Sequence, residues 1–127
     1  MPLDTPPCAA LKGRPFRARL GYALAGIRTV AGRESSFRIQ LALAAAALAA
    51  LLLLRPGWLW SALVLVACGF VLALELANAA FEYMIDHLHP ALAAEIGHAK
   101  DAAAGAVLLA SLAALAVAGT MIVATLR

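Results

Sequence analysis

Charge is scarce in this chain: only 13% of its 127 residues are Asp, Glu, Lys or Arg, while 65% are hydrophobic. A soluble domain of this length cannot hide so much apolar surface inside itself, so a bilayer must serve as part of its solvent. Cysteine is nearly absent too. Cys8 and Cys68 lie sixty residues apart, with no metal or redox spacing around either, which argues against a disulfide framework. Cys68 reads as a small apolar filler within a span. Basic residues are rare beyond the first third of the chain, where only Arg55, Lys100 and Arg127 follow Arg38. No internal repeat is evident, and the last apolar run has Gly105, Ser111 and Gly119 but no close-spaced glycine pair to specify a helix dimer.

What is present is three apolar runs, at 39–54, 58–81 and 102–126, each long enough to cross about 30 Å of hydrocarbon as a helix. A cleaved signal peptide does not explain the first, because 38 residues with charge of both signs precede it. Seven of the ten basic residues, Lys12, Arg14, Arg17, Arg19, Arg28, Arg33 and Arg38, stand before the first span. The positive-inside rule therefore predicts a cytoplasmic N-terminus. The net charge of +3 expresses topology and attraction to anionic lipid, not nucleic-acid binding.

The proline-bearing stretch at 1–13 has no periodicity and reads as a disordered leader. From Phe16 onward, Leu20, Ala23, Leu24, Ile27, Val30 and Ala31 share one helical face, with Arg14, Arg17, Arg28 and Arg33 elsewhere. This predicts an amphipathic surface helix over about 14–35, a plain anchor unless Glu34 matters. Extended helically, Glu34 falls on the face of Phe16 and Ile27, where a carboxylate needs a partner. Arg55-Pro56-Gly57 makes a tight turn, and Trp58 and Trp60 after it read as interfacial anchors. The expected architecture is all-α: the surface helix, then spans over about 37–54, 58–85 and 101–126, in a single membrane domain at 14–127.

The second span carries acids where hydrocarbon should be. At 100° per residue, Glu75, Asn78, Glu82 and Asp86 lie within about 80° of arc and make a ridge roughly 16 Å long. Glu75, the deepest, costs about 2.5–3.5 kcal/mol at the centre of a membrane helix and has no basic residue nearby in sequence. Such an acid is either held protonated by a neighbouring helix or put to use, and Asp86 is either at work or merely wet. Carboxylates with an amide at an interface suit a hard cation such as Mg²⁺, and Mg²⁺ suggests phosphate. Lys100, where the last span begins, can neutralise a phosphate. Asp101 beside it can accept ribose hydroxyls or cap the last helix. His87, His89 and His98 match no standard zinc spacing on what reads as an interfacial loop. Buried carboxylates also form ion relays, so a small ion-conducting or transporter subunit is the rival reading, and a structural assembly factor a further one.

The pattern Glu75-x-x-Asn78-x-x-x-Glu82-x-x-x-Asp86, followed fourteen residues later by Lys100-Asp101, resembles the prokaryotic diacylglycerol kinase family, which includes the undecaprenol kinases. The resemblance runs from about Tyr22 to Gly119, with Gly26-Ile27 and Glu34-x-x-Phe37-Arg38 in the expected upstream places. It implies a homotrimer in a bacterial inner membrane, with shared active sites and ATP-dependent phosphorylation of a lipid hydroxyl, with ATP as co-substrate and Mg²⁺ as cofactor. It further implies Glu75 as general base, Glu34 and Glu82 as metal ligands, and Asn78 and Asp86 in support. Tyr22, Gly97, Lys100, Asp101 and one upstream arginine, Arg17 or Arg14, would attend the nucleotide together with Glu34 and Glu82. Arg28, Phe37, Arg38, Gln40 and Ala104 would join Glu75 around the lipid. Gln40 stands where the diacylglycerol branch usually has an acid, and Ala104 replaces a small hydroxyl residue. Those departures, with Phe37-Arg38-Ile39 and His89-Pro90, lean toward the undecaprenol branch while leaving both lipids open.

Overall fold

The computed structural model describes residues 13–91 and 93–127, so the leader expected at 1–13 lies, apart from Gly13, outside the described residues. Four helices follow in order: α1 Phe16–Arg33, α2 Ser35–Leu54, α3 Trp58–Leu88 and α4 Ala94–Leu126. The last three are each long and apolar enough to span a bilayer, and no more than 17% of any such stretch is buried within the chain. This is a membrane protein whose outward face is hydrocarbon: Leu53, Val66 and Leu109 are all at least 70% exposed.

The α2–α3 turn follows from three residues. Arg55 takes the left-handed conformation (φ 49°) and its N–H caps Leu51 O at 3.0 Å. Pro56 then cannot continue the helix, and Gly57 at φ 96° occupies a region that a side chain would strain. The chain therefore reverses, and the helices run antiparallel.

Two small cores mark the ends of the bundle. Near the α2–α3 turn, Leu51, Val64 and Met121 are buried together, with Cys68 and Trp60 packed against them. Trp60 is thus partly a packing residue, whereas Trp58 is 82% exposed. At the opposite end Val30, Phe37 and Ala79 form the second core, flanked by Leu72, Leu76 and Tyr83. The most extensive packing is α3 on α4, with α2 laid mainly along α3.

Three expectations need correction. First, the helix does not extend through Glu34: α1 ends at Arg33 and Glu34 is extended (φ −100°, ψ 114°). Gly32 weakens the last turn, the Ser35-Ser36 pair favours a helix start, and Arg38 donates from one guanidinium nitrogen to Ala31 O (3.1 Å) and Gly32 O (3.3 Å). Glu34 therefore leaves the Phe16–Ile27 face. Second, most of the segment read as a loop before Lys100 is helical. α3 persists to Leu88 and α4 starts at Ala94, so Gly97, His98 and Lys100 sit in its opening turns. The polar sequence hid this because the hydrocarbon boundary, not the helix end, sets where an apolar run stops. Third, Ala93 caps α4, which excludes Asp101 as the cap.

Candidate active site

The acid ridge predicted on α3 is continuous, since α3 holds all four residues in one unbroken helix. Glu75 is 6% exposed, the sole buried charged residue among those described. Its Oε2 accepts a hydrogen bond from Ser36 Oγ in the first turn of α2 at 3.2 Å. A hydroxyl is the compensation it finds within one chain, not a basic side chain. Around it Ser36, Gln40, Asn78, Ala104, Val107 and Ser111 line a groove of about 380 Å³ between α2, α3 and α4. Gln40 Nε2 donates to Ser111 Oγ (2.9 Å) across this groove. The same pair borders an apolar cavity of about 120 Å³ that reaches Cys68 and Val71. Asn78 Oδ1 is buried without a hydrogen-bond partner, a cost normally avoided unless a further group completes the site.

Toward the other end of the ridge the setting becomes polar. Tyr83 Oη donates to Glu34 Oε1 at 2.7 Å, joining the α1–α2 break to α3. Arg33 lies over the Tyr83 ring, 5.6 Å from its centroid. Lys100 Nζ bonds Asp86 Oδ1 at 2.7 Å, a pair exposed enough that it adds little to stability. Glu82 is half-buried on α3, one helical turn before Asp86.

Among the described residues, no three His, Cys, Asp or Glu side chains converge around a point. The exposed His87 and His98 lie on different helices, with His89 in the link. Glu34 and Glu82 nevertheless suit a Mg²⁺ ion arriving with phosphate. Such an ion keeps waters and phosphate oxygens and needs only one or two protein carboxylates.

The structure brings together Glu75, Asn78, Gln40 and Ala104 in the groove, and beyond it pairs Asp86 with Lys100 and joins Glu34 to Tyr83. It does not bring everything. Phe37, expected beside the lipid, is 1% exposed and belongs to the core with Val30 and Ala79. Arg38, expected there too, is spent on the end of α1. Arg17, Tyr22 and Arg28 are exposed along α1, Gly97 is in the first turn of α4, and Asp101 is exposed two residues after His98's neighbour Ala99. Three participants were not singled out from sequence for a role here: Ser36, Tyr83 and Ser111. Their partners stand 39, 49 and 71 positions away, and no local spacing reports such contacts.

No curated protein and no solved structure matches the chain. A family does: prokaryotic diacylglycerol kinase, over residues 21–122, a stretch that contains Glu34, Glu75, Glu82, Asp86 and Lys100. The match covers most of the sequence, so the chain belongs to the prokaryotic diacylglycerol kinase family and is, at that level, a lipid kinase.

Proposed function

We propose that this chain transfers the γ-phosphate of ATP to the hydroxyl of a membrane lipid alcohol, either diacylglycerol or undecaprenol. The observation that carries the reading is Glu75, buried at the wall of a groove at membrane depth and on the same helix face as the Asp86–Lys100 pair. Lipid would enter laterally from the bilayer, and ATP from the cytoplasm, where the arginine-rich N-terminal segment resides. The α1 helix would lie in that interface with its apolar face in lipid, since Phe16, Leu20 and Leu24 are exposed in the isolated chain.

The residues divide the work by depth. Glu75 takes the proton from the lipid hydroxyl as that oxygen forms its bond to phosphorus, and the bond from phosphorus to the ADP oxygen breaks. Ser36 holds one Glu75 oxygen and so aims the other. Asn78 supports the carboxylates, and Gln40 and Ala104 line the lipid's path. Glu34 and Glu82 would hold Mg²⁺, which supplies charge neutralisation on the phosphates when bound. Lys100 swings from Asp86 to the phosphate chain, while Asp101, Gly97, Tyr22 and Arg17 attend the nucleoside. A homotrimer with sites shared between subunits fits the orphaned Asn78 oxygen and the open groove, both of which a neighbouring copy can close.

The deciding experiment offers purified protein and labelled ATP an equal choice of diacylglycerol and undecaprenol. Label is expected in one lipid phosphate with Mg²⁺ present. If neither lipid takes label, the kinase reading fails. Lys100→Met is expected to raise KM for ATP on the order of tenfold, one charge-assisted hydrogen bond's worth, with the thermal midpoint nearly unchanged. ATP-saturation kinetics and a melting curve check both halves of that statement.

A further inference from the structure

Tyr83 follows Glu82 on α3, off the acid ridge, and its hydroxyl reaches back 49 positions to Glu34 Oε1 at 2.7 Å. Glu34 needs such help. It sits in extended backbone between two helices, so neither helix fixes its side chain. Its ring partner is itself held, because Tyr83 packs against the Val30–Phe37–Ala79 core on one side and under the Arg33 guanidinium on the other.

From this geometry we infer that Tyr83 is a positioning residue for cation binding, fixing Glu34 so that its carboxylate faces the same space as that of Glu82. The inference rests on the proposal that Glu34 is a metal ligand. A single hydroxyl can engage only one of the two Glu34 oxygens, and the engaged rotamer sets where the other points. Carboxylates that bind metals are commonly oriented by such a hydrogen bond, and its loss costs about 10–100-fold in metal affinity or activity. Tyr83 touches neither lipid nor nucleotide in this scheme and acts through Glu34 alone.

The test compares Tyr83→Phe, Glu34→Gln and the double variant by Mn²⁺ titration followed by electron paramagnetic resonance, with ATP present and lipid absent. Tyr83→Phe keeps the ring, its packing and the Arg33 contact and deletes one oxygen. It is expected to weaken Mn²⁺ binding about tenfold, to raise the Mg²⁺ concentration for half-maximal rate to the same extent, and to leave KM for the lipid unchanged. The double variant should bind no more weakly than Glu34→Gln. If Glu34→Gln weakens Mn²⁺ binding and Tyr83→Phe does not, the positioning role is overturned while the metal assignment stands. If Glu34→Gln itself changes nothing, the metal assignment has failed. A second measurement leaves Tyr83 in place: the chain has two tyrosines, so 3-fluorotyrosine gives two fluorine signals, and the one missing from Tyr83→Phe belongs to position 83. Its fluorine resonance should move on adding Mg²⁺ with ATP, and should stay still in the Glu34→Gln protein. A resonance that moves equally in both, or in neither, overturns the inference.

Discussion

Glu75→Gln is expected to lower kcat by about 10²–10⁴-fold, the usual worth of a general base, or about 3–5 kcal/mol of barrier. The protein itself should survive the change. Glutamine has the same shape, and its amide oxygen can still accept the Ser36 hydroxyl that bonds Glu75 at 3.2 Å. Removing a buried carboxylate also relieves the cost of keeping one in a span, so the thermal midpoint should hold or rise. Single-turnover phosphorylation of the lipid and a melting curve in detergent measure the two effects. A variant that keeps close to full rate would eliminate Glu75 as the base.

Glu82→Gln is expected to act differently, through the cation. Glu34 and Glu82 are the two carboxylates proposed to hold the cation, and Mg²⁺ bound with phosphate depends on one or two such groups. Losing one should raise the Mg²⁺ requirement by an order of magnitude or more, since even changes behind the ligands cost about 10–100-fold. The rate at saturating Mg²⁺ should fall as well, because charge neutralisation on the phosphates is the main work of phosphoryl transfer. A Mg²⁺ titration of initial rate decides it: an unchanged midpoint removes Glu82 from the metal site. The contrast with Glu75→Gln is itself informative, since a base on the lipid side should leave that midpoint where it was.

The acid ridge was legible because helix geometry is local. Spacings of three, four and four residues put Glu75, Asn78, Glu82 and Asp86 on one face of any helix that carries them, whatever surrounds it. The fourteen-residue interval to Lys100 was legible as a motif, and the structure gives it a physical form in the Asp86–Lys100 pair across the α3–α4 link. The error over Glu34 has the opposite origin. Helical extension assumed that the backbone continued, and a weak Gly32 turn with Arg38 capping the carbonyls ended it. A break of one residue redirects a side chain entirely, so a face assignment is only as good as the helix end it crosses.

By itself the sequence determined three membrane spans, the basic bias before the first of them, and the alignment of the acids on α3, because composition and a fixed helical period suffice for each. Which faces turn inward was left to the tertiary structure. In hydrocarbon a helix has no polar side to point outward, so apolar periodicity in α2 and α4 says little about rotation. Only packing decided that Ser36 would meet Glu75, that Gln40 would meet Ser111, and that Tyr83 would hold Glu34. Those contacts join residues on separate helices. Their formation depends on how close-packed surfaces fit, a property of the assembled bundle and not of any one segment.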